Sequence, residues 1–121
     1  MYGVPADLPI QPFVGQELIQ ICLGRFQIQL HFSGAGSISV EGRWELRDGA
    51  GDIVDRAKDH ENRESYRIHR LIDVAVDRFS IDPPRSFMLF FKNDLALTVF
   101  DDSEQYESFS IKVDGLAPLY I

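Results

Sequence analysis

Gln27-Ile28-Gln29-Leu30-His31-Phe32 and Ser86-Phe87-Met88-Leu89-Phe90-Phe91 are two versions of one alternating segment. In each, every second residue is large and apolar. Successive side chains of a strand leave on opposite faces, so period-two alternation marks a strand with one face in a core. The likeness continues downstream, where Ile38, Ser39 and Val40 meet Leu97, Thr98 and Val99. Upstream, Leu18 to Phe26 aligns with Leu71 to Phe79. That alignment requires a six-residue insertion, Ser80 to Arg85, before the match resumes. The chain therefore reads as one strand unit written twice, and a repeated unit sets the architecture ahead of any finer detail.

Around these segments the punctuation is that of β-meanders. Ser33-Gly34-Ala35-Gly36 and Asn93-Asp94 are turns between strands, because Gly and Asn supply the backbone angles that tight hairpins need. A further hairpin runs from Trp44 and Leu46 through Asp48-Gly49-Ala50-Gly51 to Ile53 and Val54. A last strand over 106–113 places Phe109, Ile111 and Val113 on one face. Residues 56–70 are dense in charge, and Ile68, Leu71 and Ile72 have helical spacing, which predicts a short helix over 61–70. Pro5, Pro9 and Pro12 make residues 1–13 an irregular lead-in.

The expected fold is mainly β, at the border of α+β. Two repeated antiparallel meanders form a sandwich or half-open barrel with one short crossover helix. The chain is one domain over residues 1–121, with repeats at 14–46 and 67–112 and a connection at 47–66. The expected core is Ile19, Ile21, Leu23, Ile28, Leu30, Phe32, Ile38, Val40, Ile72, Val74, Val76, Phe87, Leu89, Phe91, Leu97, Val99, Phe109 and Ile111.

Composition narrows the function classes. A net charge of −7 disfavours nonspecific binding to a phosphate backbone or an anionic membrane. One cysteine excludes an internal disulfide and suits a reducing compartment. No basic, apolar leader opens the sequence, so the expected address is the cytoplasm.

Catalytic and metal motifs are weak. Cys22 sits mid-strand with no neighbouring base, and His31, His60 and His69 lack metal-ligand spacing. Asp48 to Asp52 has no closing bidentate Glu, so a glycine turn explains it better than calcium. Gly34-Ala35-Gly36 lacks the Lys-Ser/Thr of a phosphate loop. Arg25 and Arg78, each followed by Phe, are expected to fill equivalent structural roles.

The two units differ outward. Gln27, Gln29, His31, Ser37, Ser39 and Glu41 in the first become Ser86, Met88, Phe90, Ala96, Thr98 and Phe100 in the second. The first set suits water; the second needs a cover, supplied by this chain or another. Asp101, Asp102, Glu104 and Glu107 add an acidic run without an intervening Lys or Arg, suited to a basic partner.

Leu89-Phe90-Phe91, Leu97-Thr98-Val99 and Tyr106-Glu107-Ser108-Phe109, with Trp44 and the Asp48-Gly49 turn, resemble small bacterial proteins of uncharacterised function built from a duplicated β-meander. The resemblance covers residues 14–112 and implies no reaction and no catalytic residue. Several small acidic proteins of that build look like immunity or accessory proteins. The expected function is thus a non-enzymatic interaction module without a cofactor. Met88, Phe90, Phe100, Asp101, Asp102, Glu104 and Glu107 form its surface, toward a basic protein or a second copy in a homodimer. The alternative is a small-molecule binder with a cavity between its sheets.

Overall fold

A computed structural model describes residues 3–57, 66–101 and 107–121. It is mainly β, with two antiparallel five-stranded sheets that do not close into a barrel. The strands are β1 (Leu18–Leu23), β2 (Ile28–Phe32), β3 (Gly36–Val40), β4 (Trp44–Arg47), β5 (Ile53–Ala57), β6 (Val76–Asp82), β7 (Ser86–Phe91), β8 (Ala96–Phe100), β9 (Phe109–Val113) and β10 (Leu119–Tyr120). Sheet 1 has the order β1-β2-β3-β9-β10, and sheet 2, read from its other edge, has the order β6-β7-β8-β4-β5. The hairpin that follows each meander thus leaves its own sheet and completes the other.

The sheets meet at a corner through paired backbone bonds. Gly15 N–H donates to Val76 at 2.8 Å, and Asp73 N–H donates to Leu18 at 2.7 Å. Val76 N–H donates to Gln16 at 3.0 Å, and Leu18 N–H donates to Val74 at 3.1 Å. Gly15 and Asp73 both adopt positive φ, 85° and 70°, to make this bend. Leu18 stands opposite Phe32, and Val76 stands opposite Phe91.

These contacts correct the upstream alignment. Leu71 ends a 3-10 turn, Ile68–Leu71, whereas Leu18 begins a strand. The strand residue that stands opposite Phe91, as Leu18 stands opposite Phe32, is Val76, five positions after Leu71. Ser80 to Asp82 then belong to β6, and no six-residue insertion is needed. Arg25 and Arg78 lose their equivalence too: Arg25 lies in a turn over Phe26, while Arg78 lies in a strand over Phe90.

The core lies between the sheets and follows the alternation of β2, β3, β7, β8 and β9. Ile28, Leu30, Ile38, Val40, Leu89, Leu97, Val99 and Phe109 are all fully buried. Phe87 of sheet 2 meets Phe109 of sheet 1 edge to face at 4.9 Å. Aromatic pairs in that geometry add ~0.5–1.5 kcal/mol beyond their buried area.

Three expected core residues are exposed: Ile19, Leu23 and Ile72. A bulge between Leu18 and Gln20 shifts the register of β1, so Leu18 turns inward and Ile19 outward. Leu23 sits on a sheet edge, and Ile72 sits in the corner bend. The lead-in is more ordered than its prolines suggest. Val4, Leu8, Ile10 and Phe13 are buried, and Phe13 meets Phe32 edge to face at 4.9 Å. In the connection, residues 58–65 lie outside the described residues, and its described end is the 3-10 turn.

Candidate functional site

The outer face of sheet 2 can be built row by row from the strand register. One row runs Arg47, Ala96, Phe90, Arg78 across β4, β8, β7 and β6. The next runs Arg56, Glu45, Thr98, Met88, Ser80 across all five strands. A third places Phe100, Ser86 and Asp82 in line, with Arg43 beside Phe100 through the bond from Phe100 N–H to the Arg43 carbonyl, 3.1 Å. Its centre is apolar and its flanks are arginine.

The rings are not left bare. The Arg78 guanidinium lies 3.7 Å from the centre of the Phe90 ring, and that of Arg43 lies 3.8 Å from the centre of Phe100. A guanidinium over a ring face is attracted by the ring quadrupole, and its long stem covers apolar surface while its charge stays wet. Glu45, mostly enclosed, takes Arg47 at 3.2 Å and Arg43 at 3.8 Å. Arg47 also donates to the Gly51 carbonyl at 2.7 Å, which holds the hairpin tip against the sheet. Met88, Phe90 and Phe100 are each half-buried.

Among the described residues, four arginines on this face (43, 47, 56 and 78) stand beside two carboxylates, Glu45 and Asp82. Asp82 is already bonded to Arg85 at 3.0 Å, and that bond, opposed by slight desolvation, holds it below the ordinary carboxylate range. Arginine thus outnumbers carboxylate among the described residues of this face, on a chain whose net charge is −7. The outer face of sheet 1 is different. Its rows are Gln20, His31, Ser37, Lys112 and Cys22, Gln29, Ser39, Ser110, Tyr120, small and polar at the centre.

The acidic run does not assemble among the described residues. Desolvation pushes Asp101 up, but the hydrogen bonds it accepts outweigh this and hold it below the ordinary value. Two of those are from Ser108 Oγ and the Gly3 amide, each at 2.7 Å. Asp101 thus ties the lead-in to the start of β9 rather than facing a partner. Burial pushes Glu41 up, and the charge of Glu107 adds to that. Asp102 and Glu104 lie outside the described residues.

The other sequence candidates are dispersed. Half-buried Cys22 lies on the outer face of β1 opposite Gln29. His31 lies on β2 between Gln20 and Ser37, His69 is exposed in the 3-10 turn, and His60 is outside the described residues. Asp48 Oδ1 accepts from the amides of Ala50 and Asp52, both at 3.0 Å, so its carboxylate closes the turn. Among the described residues no group of three His, Cys, Asp or Glu is placed to hold a metal, and no helix is long and apolar enough to cross a membrane.

The sequence pointed to Phe90 and Phe100 but missed the arginines above them. Arg43 and Arg47 come from the first half of the chain, and only the exchange of hairpins brings them here. Comparison with known proteins finds no matching family model, no matching curated protein and no matching solved structure.

Proposed function

We propose that this chain is a non-enzymatic, cytoplasmic protein-binding module of the immunity or accessory kind, whose working surface is the outer face of sheet 2. We further read it as an internally duplicated β-meander; the reciprocal corner bonds of Gly15 with Val76 and of Asp73 with Leu18 support that reading. The observation that carries the functional reading is the pair of guanidinium–ring stacks, Arg78 on Phe90 and Arg43 on Phe100, around Met88 and Thr98. Interfaces are enriched in aromatic residues, Met and Arg, and in apolar centres with polar rims.

The excess of arginine among the described residues of this face favours an acidic partner, where the acidic run had suggested a basic one. It also disfavours self-association through this face, since a symmetric pair would set arginines against arginines. The cavity reading finds no support: Trp44, Phe13, Phe87 and Phe109 occupy the interior, each fully buried.

The test is affinity capture at low salt with the wild type, with Arg47→Glu/Arg78→Glu, and with Lys112→Glu on the opposite sheet. An acidic protein held by the wild type and Lys112→Glu, and lost from the double variant, supports the reading. The same proteins on all three columns refute it, and so does retention of a single-stranded oligonucleotide in place of any protein.

A further inference from the structure

Along β4 and the residue before it, the outward side chains are Arg43, Glu45 and Arg47, because Trp44 and Leu46 between them are fully buried. Glu45 lies lowest of the three. Its side chain is 14% exposed, against 36% for Arg43 and 41% for Arg47. In the register it stands between Arg56 of β5 and Thr98 of β8, and Thr98 is buried although it points outward. The two carboxylate oxygens serve different arginines. Oε2 accepts from Arg47 at 3.2 Å, and Oε1 lies 3.8 Å from Nη1 of Arg43. One recessed carboxylate thus draws on two guanidiniums that stand above it.

Neither arginine depends on that carboxylate for its place. The Arg43 guanidinium lies over the Phe100 ring at 3.8 Å, and Arg47 donates to the Gly51 carbonyl at 2.7 Å. Ion pairs this open to water add little to stability. The larger effect of Glu45 falls on what approaches from outside. A carboxylate held between two guanidiniums cancels part of their field, and an arriving anion must share them with it.

We infer, on the reading of the sheet 2 face as the docking surface, that Glu45 is an internal competitor that sets the affinity of that face for its acidic partner. The partner's carboxylates take up Arg43 and Arg47 from above, against the pull of Glu45 from beneath. Glu45 thereby also selects for a partner with several acids. A single anion gains little from two guanidiniums that are already shared. A segment carrying several carboxylates also meets Arg56 and Arg78 on the two flanks, and its contacts reinforce one another.

Binding of a fluorescein-labelled decaglutamate peptide to the intact chain at low salt tests this role. Wild type is expected to hold the peptide, and Arg47→Glu/Arg78→Glu to lose it. Glu45→Gln keeps the shape, removes the charge, and is expected to bind about tenfold tighter. Asp114→Asn removes the same charge from an exposed position just after β9 of sheet 1, and is expected to change affinity by about twofold or less. With Arg47→Gln already in place, the gain from Glu45→Gln is expected to shrink, because one of the two shared guanidiniums is gone. A peptide ignored by wild type, or still held by Arg47→Glu/Arg78→Glu, overturns the reading of the face and the role of Glu45 with it. A peptide held by wild type and lost from that double variant, but bound no tighter by Glu45→Gln than by Asp114→Asn, leaves the face standing and overturns the role of Glu45 alone. So does a gain from Glu45→Gln that persists in full without Arg47. So does a Glu45→Gln chain that no longer unfolds cooperatively, since the arginines would then depend on Glu45 for their place.

Discussion

Replacing Gly36 by Ala tests the seam at which the C-terminal hairpin enters sheet 1. Gly36 begins β3 opposite Val113 of β9, with φ of 137°. A Cβ built there would stand 1.9 Å from the Lys112 carbonyl oxygen and 2.9 Å from its carbon. Both are backbone atoms of a paired strand, so no side chain can swing aside. Clearing the oxygen means pulling β9 back by ~1 Å or more, beyond the ~3.2 Å reach of a good ladder hydrogen bond. The backbone angle itself is nearly glycine-only and costs ~1–3 kcal/mol for another residue. Each of the two adjacent ladder bonds lost adds ~1 kcal/mol, and more where the freed groups stay buried. The sum is ~3–5 kcal/mol, a large fraction of the ~5–15 kcal/mol that holds a typical domain. Gly51 is the control, because its φ is 87° but a Cβ there has no atom within 4 Å. Gly51→Ala should therefore cost only the conformational term, ~1–2 kcal/mol. In urea titrations, with a slope of ~2 kcal/mol per M, Gly36→Ala is expected to lower the midpoint by ~2 M and Gly51→Ala by less than ~1 M. Equal shifts for the two, or a Gly36→Ala protein within ~1 kcal/mol of wild type, would refute the close approach of β3 and β9.

Two further predictions concern the core and the charges. Trp44 is fully buried, its ring lies edge to face with Tyr66 at 5.0 Å, and its Nε1 donor has no acceptor among the described residues. Trp44→Ala should cost ~3–5 kcal/mol, whereas Trp44→Phe keeps the ring contact, removes the orphaned donor and should cost under half as much in the same titration. The pH dependence should split by sign. Asp101 is held low, so its contribution is complete above the unfolded carboxylate range and fades as pH falls through its folded value. Glu41 is held high, so ionising it works against folding, and relative stability is lost as pH rises from the unfolded range through its folded value. Asp101→Asn should accordingly lower Tm at pH 7 and converge on wild type in acid. Glu41→Gln should raise Tm at pH 7 and also converge in acid; both variants shifting Tm the same way at pH 7 would contradict the assignment.

Much of the sheet interior was legible because β2, β3, β7, β8 and β9 each bury one face, and a period of two reports that directly. Leu30, Phe32, Leu89 and Phe91 are buried as the alternation requires. β1 misled at its start, where the bulge breaks the alternation and turns Leu18 inward and Ile19 outward, while Ile21 and Leu23 stay opposite inward-facing Leu30 and Ile28. Ile19, Ile21 and Leu23 alternate perfectly in the sequence, but the strand is an edge, where alternation no longer guarantees cover. Leu71 imitated Leu18 because both start an apolar pair with Ile, although one closes a 3-10 turn and the other opens a strand. The lead-in hid its role for a different reason. Val4, Leu8, Ile10 and Phe13 follow no period, since they join the core from irregular chain and one 3-10 turn rather than from a strand. Asp101 read as one of an acidic group, yet its partners Gly3 and Ser108 stand 98 and 7 residues away, and nothing local announces either bond.

The same topology explains why the arginine face escaped the sequence. A meander kept within one half would have left Met88, Phe90 and Phe100 beside their own following hairpin, Phe109 to Tyr120. That hairpin instead completes sheet 1, and the hairpin Trp44 to Ala57 takes its place in sheet 2. The exchange carries Arg43, Arg47 and Arg56 from the first half onto a face whose rings come from the second. Arg78 meets Phe90 within the second half, but Arg43, Arg47 and Arg56 join them only after both halves have docked, so neither half alone displays the whole surface. A binding face assembled in this way also reports on folding: it exists in the completed sandwich and in no partly folded form that lacks the exchanged hairpin. That coupling follows from the strand order β5-β4-β8-β7-β6, whatever partner the face receives.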